Sequence, residues 1–511
     1  MATEHIYIIS DLHLGGRPAL QSSSGTTSGF QLCQPRECRR LAQFIHYISG
    51  RHVGEHTELI INGDFVDFLT EEKISSESPA PTQEFEAFTI DREDAIRKFN
   101  AIVEHTDASA SAGERLFEAL REFVQRGHRL TILLGNHDIE LCLPSVRLAM
   151  TQMLTGGRLA DLEFIHDGEA YVRPGLIVEH GNRYDGWNAL SYGALRAWRS
   201  AQSRNEEISF QFPPPPGSRL VASLMNPLKH KYKFIDLLKP ENEALVPVLA
   251  ALDSSILPTL TRIVRGLPYL AKKMLVQTSA GGIPSYKTYI ADDQAVDDEP
   301  VDASRILGDP ISEETITRSN NLLAFAIKEW GHSEHGGETN IADEQSSFGG
   351  ALALVRQYLP SSKHNSYGKL RRTLMLYRET IGATFDLETE SPIYLRAASR
   401  LAEGKRIVAF GHTHLAKRKT LQYGGMYLNT GTWCPTIKLP TDICDPNAPD
   451  EQVFPLLKQF IEDLAENRTA SWTQVRATFA KVTLDGNATQ GDLFEFCEDG
   501  SIRRADWTNA G

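Results

Sequence analysis

Five short apolar runs, rich in β-branched residues, punctuate this chain, and each stops at a polar residue able to bind a metal. The runs are IYIIS ahead of Asp11 and His13, ELIIN ahead of Gly63-Asp64, and LTILL ahead of Gly135-Asn136-His137-Asp138. LIVE ahead of His180 and RIVAF ahead of Gly411-His412-Thr413-His414 complete the set. Runs of this length bounded by Gly, Asp or Asn predict buried strands. Between them lie patterns of helical period, over 36–49 with Leu41, Phe44, Ile45 and Ile48 on one stripe, and over 114–126. Further strand-like runs near 162–166 and 170–178 lead up to His180. Strands alternating with helices in this way predict a layered α/β domain.

The pattern divides the chain into a first core part at 1–185, an insertion at 186–404, and a second core part with a C-terminal extension at 405–511. Residues 17–34, rich in Ser, Gly, Thr and Gln, and the polar stretch 71–90 read as loops. The insertion opens with Tyr184-Asp185-Gly186-Trp187-Asn188, expected at the rim of a pocket beside His180. Pro213, Pro214, Pro215 and Pro216 then form a stiff connector. Residues 219–275 read as helical and apolar-basic, with Lys229, Lys231, Lys233, Arg262, Arg265, Lys272 and Lys273. An acidic loop carries Asp292, Asp293, Asp297, Asp298 and Glu299. Helical patterns return at 311–330 and at 347–379, the latter with Lys363, His364, Lys369, Arg371 and Arg372. Both ends of the insertion adjoin candidate ligands, so it is expected to form a mostly helical cap that sets substrate choice. The plainer alternative is a separate packed lobe whose charges are solvated. Beyond His414, 417–421 and 426–429 predict a hairpin turning at Gly424-Gly425, and Asn429-Thr430-Gly431-Thr432-Trp433 is expected to close the core sheet near the site. A helix at 451–466 and a last hairpin, 477–484 with 492–497, finish the chain.

The residues at the strand ends share one chemistry. Asp11 and His13 are two apart, so in extended chain they point the same way and can grip one ion. His412 and His414 repeat that spacing. Asp64 offers two oxygens and suits a bridge between two ions; Asn136 adds an amide oxygen and His180 an imidazole. Such oxygen and imidazole ligands favour Mn²⁺, with Fe or Zn²⁺ as the other candidates, over a thiolate-seeking metal. Two carboxylates and a bridging hydroxide leave two divalent ions with net positive charge, which attracts phosphate. Ions about 3.5–4 Å apart suit activation of an attacking water between them. Taken singly, each piece has a structural reading. Gly-Asp is a common turn, Asn136-His137-Asp138 can cap a helix, and a lone His180 is by default a buried, hydrogen-bonded histidine. Their joint occurrence, each behind a strand-like run, is what points to a site.

These motifs resemble the calcineurin-like metallophosphoesterases, whose pattern is D-x-H, G-D-x-x-D, G-N-H-[DE], a lone His and G-H-x-H. Here they stand as Asp11-Leu12-His13, Gly63-Asp64-Phe65-Val66-Asp67, Gly135-Asn136-His137-Asp138, His180 and Gly411-His412-Thr413-His414, in that order. The resemblance implies a four-layer α/β/β/α sandwich of two face-to-face sheets with helices outside. It implies that Asp11, His13, Asp64 and His414 hold one metal, and that Asp64, Asn136, His180 and His412 hold the other. His137 would meet the substrate and protonate the leaving oxygen, Asp138 would orient it, and Asp67 would support the site. The Ser10-Asp11-Leu12-His13-Leu14 opening and Asn429-Thr430-Gly431-Thr432-Trp433 are also similar to the bacterial UDP-2,3-diacylglucosamine pyrophosphohydrolases. Those relatives are shorter, so their substrate does not transfer.

Composition narrows the picture. With 511 residues, 41% hydrophobic and 23% charged, the chain reads as an ordinary globular enzyme. It has no long apolar span, no secretory start, and six cysteines without C-x-x-C spacing, which together predict a cytoplasmic protein with reduced thiols. A net charge of −13 argues against a surface given over to nucleic acid, while peripheral contact of the basic insertion with lipid head groups stays open. The expected activity is hydrolysis of a small phosphoester or pyrophosphate by a hydroxide held between two metals. The alternatives are a nuclease acting on DNA or RNA, and a non-catalytic scaffold; a scaffold is expected to have lost ligands.

Overall fold

The first strand, Glu4–Ile9, shows why its sequence is apolar throughout. Successive side chains of a strand point to opposite faces, and here both faces are covered. Tyr7 and Ile9 pack into a cluster with Phe44 and Ile48 of the helix Pro35–Arg51. Ile6 and Ile8 pack instead with Val178, Ala409 and Leu428, which belong to a second sheet. Each such buried isoleucine contributes about 1.5–3 kcal/mol. The strand Ile407–Phe410 alternates likewise, with Ile407 and Ala409 toward the first sheet, and Val408 and Phe410 toward Ala397 and Ala398 of the helix Pro392–Leu401.

The computed structural model describes residues 3–507, apart from 18–19, 23–24, 28–29, 53–54, 74–83, 207–212, 253–365, 379–382 and 404–405, and positions 159, 230, 240, 377 and 487. The chain is mixed α/β. Its seven-stranded sheet runs, in spatial order, Ile502–Arg504, Ala488–Phe496, Thr478–Asp485, Glu4–Ile9, His56–Asn62, Arg129–Leu133 and Leu162–Ile165. The last four are mutually parallel, and Thr478–Asp485 is antiparallel to Glu4–Ile9. The five-stranded sheet runs Ala416–Thr420, Met426–Thr430, Ile407–Phe410, Leu176–Val178 and Tyr171–Arg173. Its central three strands are parallel. Parallel strands align their C-terminal ends, and every candidate ligand follows such an end.

The helices Pro35–Arg51, Leu116–Gln125 and Asp450–Ala465 and the hairpin after His414 fall within a few residues of expectation. The last hairpin is tighter than expected: Thr478–Asp485 pairs with Ala488–Phe496 around Gly486, whose φ is 58°. Among the described residues the insertion contributes the helices Tyr192–Ser203, Glu241–Leu252, Ser366–Met375 and Pro392–Leu401. It also contributes a strand, Leu238–Lys239, in a small sheet with Thr436–Lys438 and Thr473–Gln474. The acidic loop at 292–299, the helical pattern at 311–330, the basic residues Arg262, Arg265, Lys272 and Lys273, and Lys363 and His364 lie outside the described residues. Among the described residues no helix is long and apolar enough to cross a membrane.

Candidate metal centre

The loops that follow the strands are locked to one another through the backbone. Asp11 N donates to Gly63 O at 3.2 Å and His13 N to Asp64 O at 2.9 Å. Gly411 N donates to His180 O at 2.9 Å, and His412 N to both carboxylate oxygens of Asp11, each at 2.9 Å. Seven non-glycine residues among those described have positive φ, and five of them are candidate ligands: Asp11 (52°), His13 (43°), Asp64 (49°), His412 (69°) and His414 (60°). Such backbones are uncommon for residues with a Cβ and gather where surrounding structure enforces them for function. Glycines give the room: a Cβ on Gly63 would overlap the His180 ring, one on Gly135 would overlap Asp64, and one on Gly411 would overlap Ser10 and Asp11.

Six of the seven candidate ligands fall into two close groups. Ligand atoms of Asp11, His13 and His414 form one group, and those of Asp64, His180 and His412 another, with every atom of a group within 4.8 Å of its fellows. His13 Nε2 lies 2.9 Å from His414 Nε2, and His414 Nε2 lies 3.6 Å from Asp11 Oδ1. Asp64 stands between the groups, its Oδ2 3.2 Å from His180 Nε2 and 3.7 Å from His13 Nε2. Asn136 is buried beside them, and its Oδ1 has no hydrogen-bond partner. His412 Nδ1 and His180 Nε2 are likewise buried without a hydrogen bond, the latter despite its closeness to Asp64. A buried lone pair without a donor costs about 1–3 kcal/mol. Carboxylate and imidazole donors gathered in this way, with no thiolate among them, fit divalent cations of the Mn²⁺, Fe or Zn²⁺ kind.

The opposite nitrogen is held in three of the four candidate-ligand histidines. His180 Nδ1 pairs with Asn62 O at 2.8 Å, His412 Nε2 with Asp185 Oδ2 at 3.0 Å, and His13 Nδ1 with Asp67 Oδ2 at 3.2 Å. Such partners fix tautomer and ring orientation in metal-binding histidines. Thr432 Oγ1 donates to Asp11 O at 2.6 Å, so the Asn429–Trp433 stretch does buttress the first loop.

His137 belongs to a further close group, with His13 and Asp67. Its side chain stays 18% exposed, and its ring stands edge-on to His13 with centroids 4.6 Å apart. The sequence reading gave Asp138 the task of orienting it; the structure gives that contact to Asp67. His137 Nδ1 lies 3.0 Å from Asp67 Oδ2, whereas Asp138 accepts from Gly135 N at 2.6 Å and Phe65 N at 2.9 Å. Asp138 thus ties the second ligand loop to the third.

The ion-free cluster shows strong electrostatic coupling. Burial alone would lower the His137 pKa, but the Asp67 and Asp64 carboxylates outweigh it and raise the value to about 9. For His180 burial is again outweighed, chiefly by Asp64, and the value rises to about 10. Asp64 and Asp67 are held below the usual carboxylate range because facing histidines overcome burial. Burial, then repulsion from Asp64, lifts Asp138 to about 7. His414 is pushed well down by burial, Lys239 and His13.

Two supports escaped the sequence reading. Asp185 was assigned to the pocket rim, yet it grips His412 and is itself held by Trp187 N at 2.9 Å and Asn188 Nδ2 at 2.7 Å. Ser218, just past the proline run, donates through Oγ to Asn136 O at 3.2 Å. Compared with known proteins, the chain matches no protein-family model and no curated protein at a significant level.

Proposed function

We propose that this chain is a dinuclear metal-dependent hydrolase of a small phosphoester or pyrophosphate, of the calcineurin-like metallophosphoesterase type. The observation that carries the reading is the meeting of six donors from the strand ends of two sheets, with the Asn136 amide oxygen and His412 Nδ1 buried without a hydrogen bond. We read the two sheets, with helices against their outer faces, as the four-layer α/β/β/α arrangement; the separate clusters on either side of Glu4–Ile9 and Ile407–Phe410 support this. Asp11, His13, Asp64 and His414 would hold one cation, and Asp64, Asn136, His180 and His412 the other, with Mn²⁺ best suited. When bound, the pair would acidify a water and draw off charge developing on the phosphoryl oxygens.

The residues of the chain do the rest. Asp67 keeps His137 protonated at neutral pH by holding its Nδ1, and the partly exposed ring would deliver a proton to the leaving oxygen. Asp138 and the interlocked loops keep the ligand spacing fixed while charge shifts. The insertion supports a cap that shapes substrate choice, since Ser218 clasps the Asn136 loop and Asn226 Nδ2 donates to Leu69 O at 2.5 Å beside the Asp64 loop. Six free cysteines agree with a cytoplasmic setting.

The test is metal analysis of the purified protein together with a panel of phosphomonoesters, phosphodiesters, nucleotide pyrophosphates, DNA and RNA. Two equivalents of metal with turnover of a small phosphate compound are expected. A protein that binds no metal, or whose activity survives Asp64→Asn with full metal content, would sink the reading. Preferential, salt-sensitive cleavage of DNA or RNA would replace it with the nuclease reading.

A further inference from the structure

At the end of the first sheet opposite the metal centre, donors from three elements meet. His5 stands second in the strand Glu4–Ile9, His52 caps the C-terminus of the helix Pro35–Arg51, and Glu55 immediately precedes the strand His56–Asn62. About 20 Å of extended chain separates His5 from Asp11, so the cluster is distinct from the candidate ligands described above. His5 Nε2 lies 2.7 Å from Glu55 Oε2, and His52 Nδ1 lies 3.3 Å from the same oxygen. One donor atom from each of the three residues falls within 4.8 Å of the other two. Bonds of about 2.0–2.1 Å around a tetrahedral zinc ion set neighbouring donors about 3.3–3.4 Å apart, so small movements bring these three onto one ion. The imidazoles are stacked, with centroids 3.6 Å apart and planes 15° apart, and they must splay to share that ion. His5 Nδ1 is buried without a hydrogen bond, so turning this ring gives up only the stack and the bond to Glu55 that an ion replaces.

We propose that His5, His52 and Glu55 form a further metal site, which takes a divalent ion of the Zn²⁺ class and clamps the helix end to the starts of two strands. Two imidazoles, a carboxylate and a water are a ligand set that zinc accepts. The buried Tyr7 hydroxyl pairs with His52 Nε2 at 2.9 Å, the kind of partner that orients a metal-binding histidine. His52 also sits at the carbonyl end of a 17-residue helix, where a cation is favoured. The His5 and His52 side chains are only 11% and 12% exposed while that of Glu55 is 47% exposed, so the rings are shielded and the carboxylate opens a way in from water. Burial, then His5 and Lys481, lower the His52 pKa, which keeps that ring neutral as a ligand must be. Lys481, opposite Tyr7 on the neighbouring strand with Nζ 5.9 Å from its ring centroid, is also the charge that opposes an ion here. Arg51 is turned to the Tyr47 hydroxyl. The inference does not depend on the reaction proposed above, because none of these residues belongs to the metal centre.

Equilibrium dialysis of the full chain against zinc, in the parent and in Asp64→Asn, tests it. One saturable equivalent is expected that Asp64→Asn keeps. Glu55→Gln and His52→Gln, made in both backgrounds and checked for fold by circular dichroism, should each weaken that equivalent roughly tenfold or more. Tyr7→Phe should weaken it about tenfold, and Lys481→Gln should bind zinc a few-fold more tightly. Zinc should raise the thermal midpoint of Asp64→Asn and leave that of Asp64→Asn/Glu55→Gln nearly unmoved. No such equivalent at micromolar free zinc, or equal binding by Glu55→Gln and His52→Gln, would overturn the inference. A parent protein whose only zinc is lost in Glu55→Gln would support it, and would sink the dinuclear reading instead.

Discussion

Asp67→Asn separates two tasks that one carboxylate performs. Asp67 is buried, and its Oδ2 faces both His137 Nδ1 at 3.0 Å and His13 Nδ1 at 3.2 Å. With the carboxylate in place the His137 pKa stands at about 9, so more than nine-tenths of it is protonated at pH 7.5. Without that charge only Asp64 still opposes burial, so the pKa should fall from about 9 toward the ordinary value of about 6.5 and the protonated fraction at pH 7.5 should drop. Complete loss of the rise would be worth roughly 3 kcal/mol of protonated imidazole. Substrates with poor leaving groups, which need that proton, should lose about tenfold or more in kcat/KM; a nitrophenyl diester, whose leaving group departs as an anion, should lose much less. The basic limb of the pH profile should also move down in the variant. The second task shows as metal affinity, since an unsupported His13 should weaken binding by about 10–100-fold. Saturating Mn²⁺ should restore occupancy but not the protonation defect. A variant whose leaving-group dependence and pH profile match the parent at full metal occupancy would refute the assignment of Asp67 to His137.

Other substitutions probe the remaining parts. Asp185→Asn should cost about 10–100-fold in affinity for the cation that His412 would help hold, recoverable with excess ion, as read by metal analysis after dialysis. Gly135→Ala pushes a methyl group into the Asp64 carboxylate, so the folded protein should retain at most one metal; two retained ions would show that the loop can yield. Glu140 is buried, and burial lifts its pKa to about 7 against the ordinary 4.5. An acid with a raised folded pKa contributes stability at low pH and loses it as pH rises from about 4.5 through 7. Glu140→Gln should therefore raise the thermal midpoint at pH 8, with a gain of about 1–3 kcal/mol, and do little at pH 4. The histidine shifts act in the same direction in ion-free protein. His137 and His180, raised to about 9 and 10, stabilise the fold below about pH 6.5, and that stability is lost as pH climbs through those values. Chelator-treated protein should thus melt earlier at pH 10 than at pH 6.5, as followed by circular dichroism.

The candidate donors are legible because each follows an apolar run, and a run apolar on both faces of a strand is a strong local signal. What escaped notice depends on contacts distant in sequence or on elements too short or too mixed to carry a period. Asp185 reaches His412 across 227 positions, and nothing in Tyr-Asp-Gly-Trp-Asn announces that. The family resemblance pairs Asp138 with His137, but Asp138 turns inward to two backbone amides and leaves His137 to Asp67. The helix Arg92–Asp107 hides its stripe because Lys98 is buried among the apolar positions, and Pro144–Thr155 leaves Leu148 53% exposed. The strand Leu238–Lys239 has two residues, too few for any alternation to show.

The backbone strain bears on when the site forms. Five ligand residues held at positive φ cost on the order of 1 kcal/mol each or more, and a site assembled only by its ions would relax that strain whenever they left. Here the strained residues are fixed by other means. Asp11 N and His13 N bond into the Asp64 loop, His412 N bonds to the Asp11 carboxylate, and Thr432 and Asp138 brace the loops from behind. Each of these contacts uses protein groups alone. The strain is therefore balanced by contacts within the chain, which hold the candidate donors together. On the proposed reading, the main term opposing cation binding is the displacement of protons that Asp64 and Asp67 hold on the facing histidines. Metal uptake should release protons and weaken as pH falls, while the backbone of the ligand loops stays where the sheets put it.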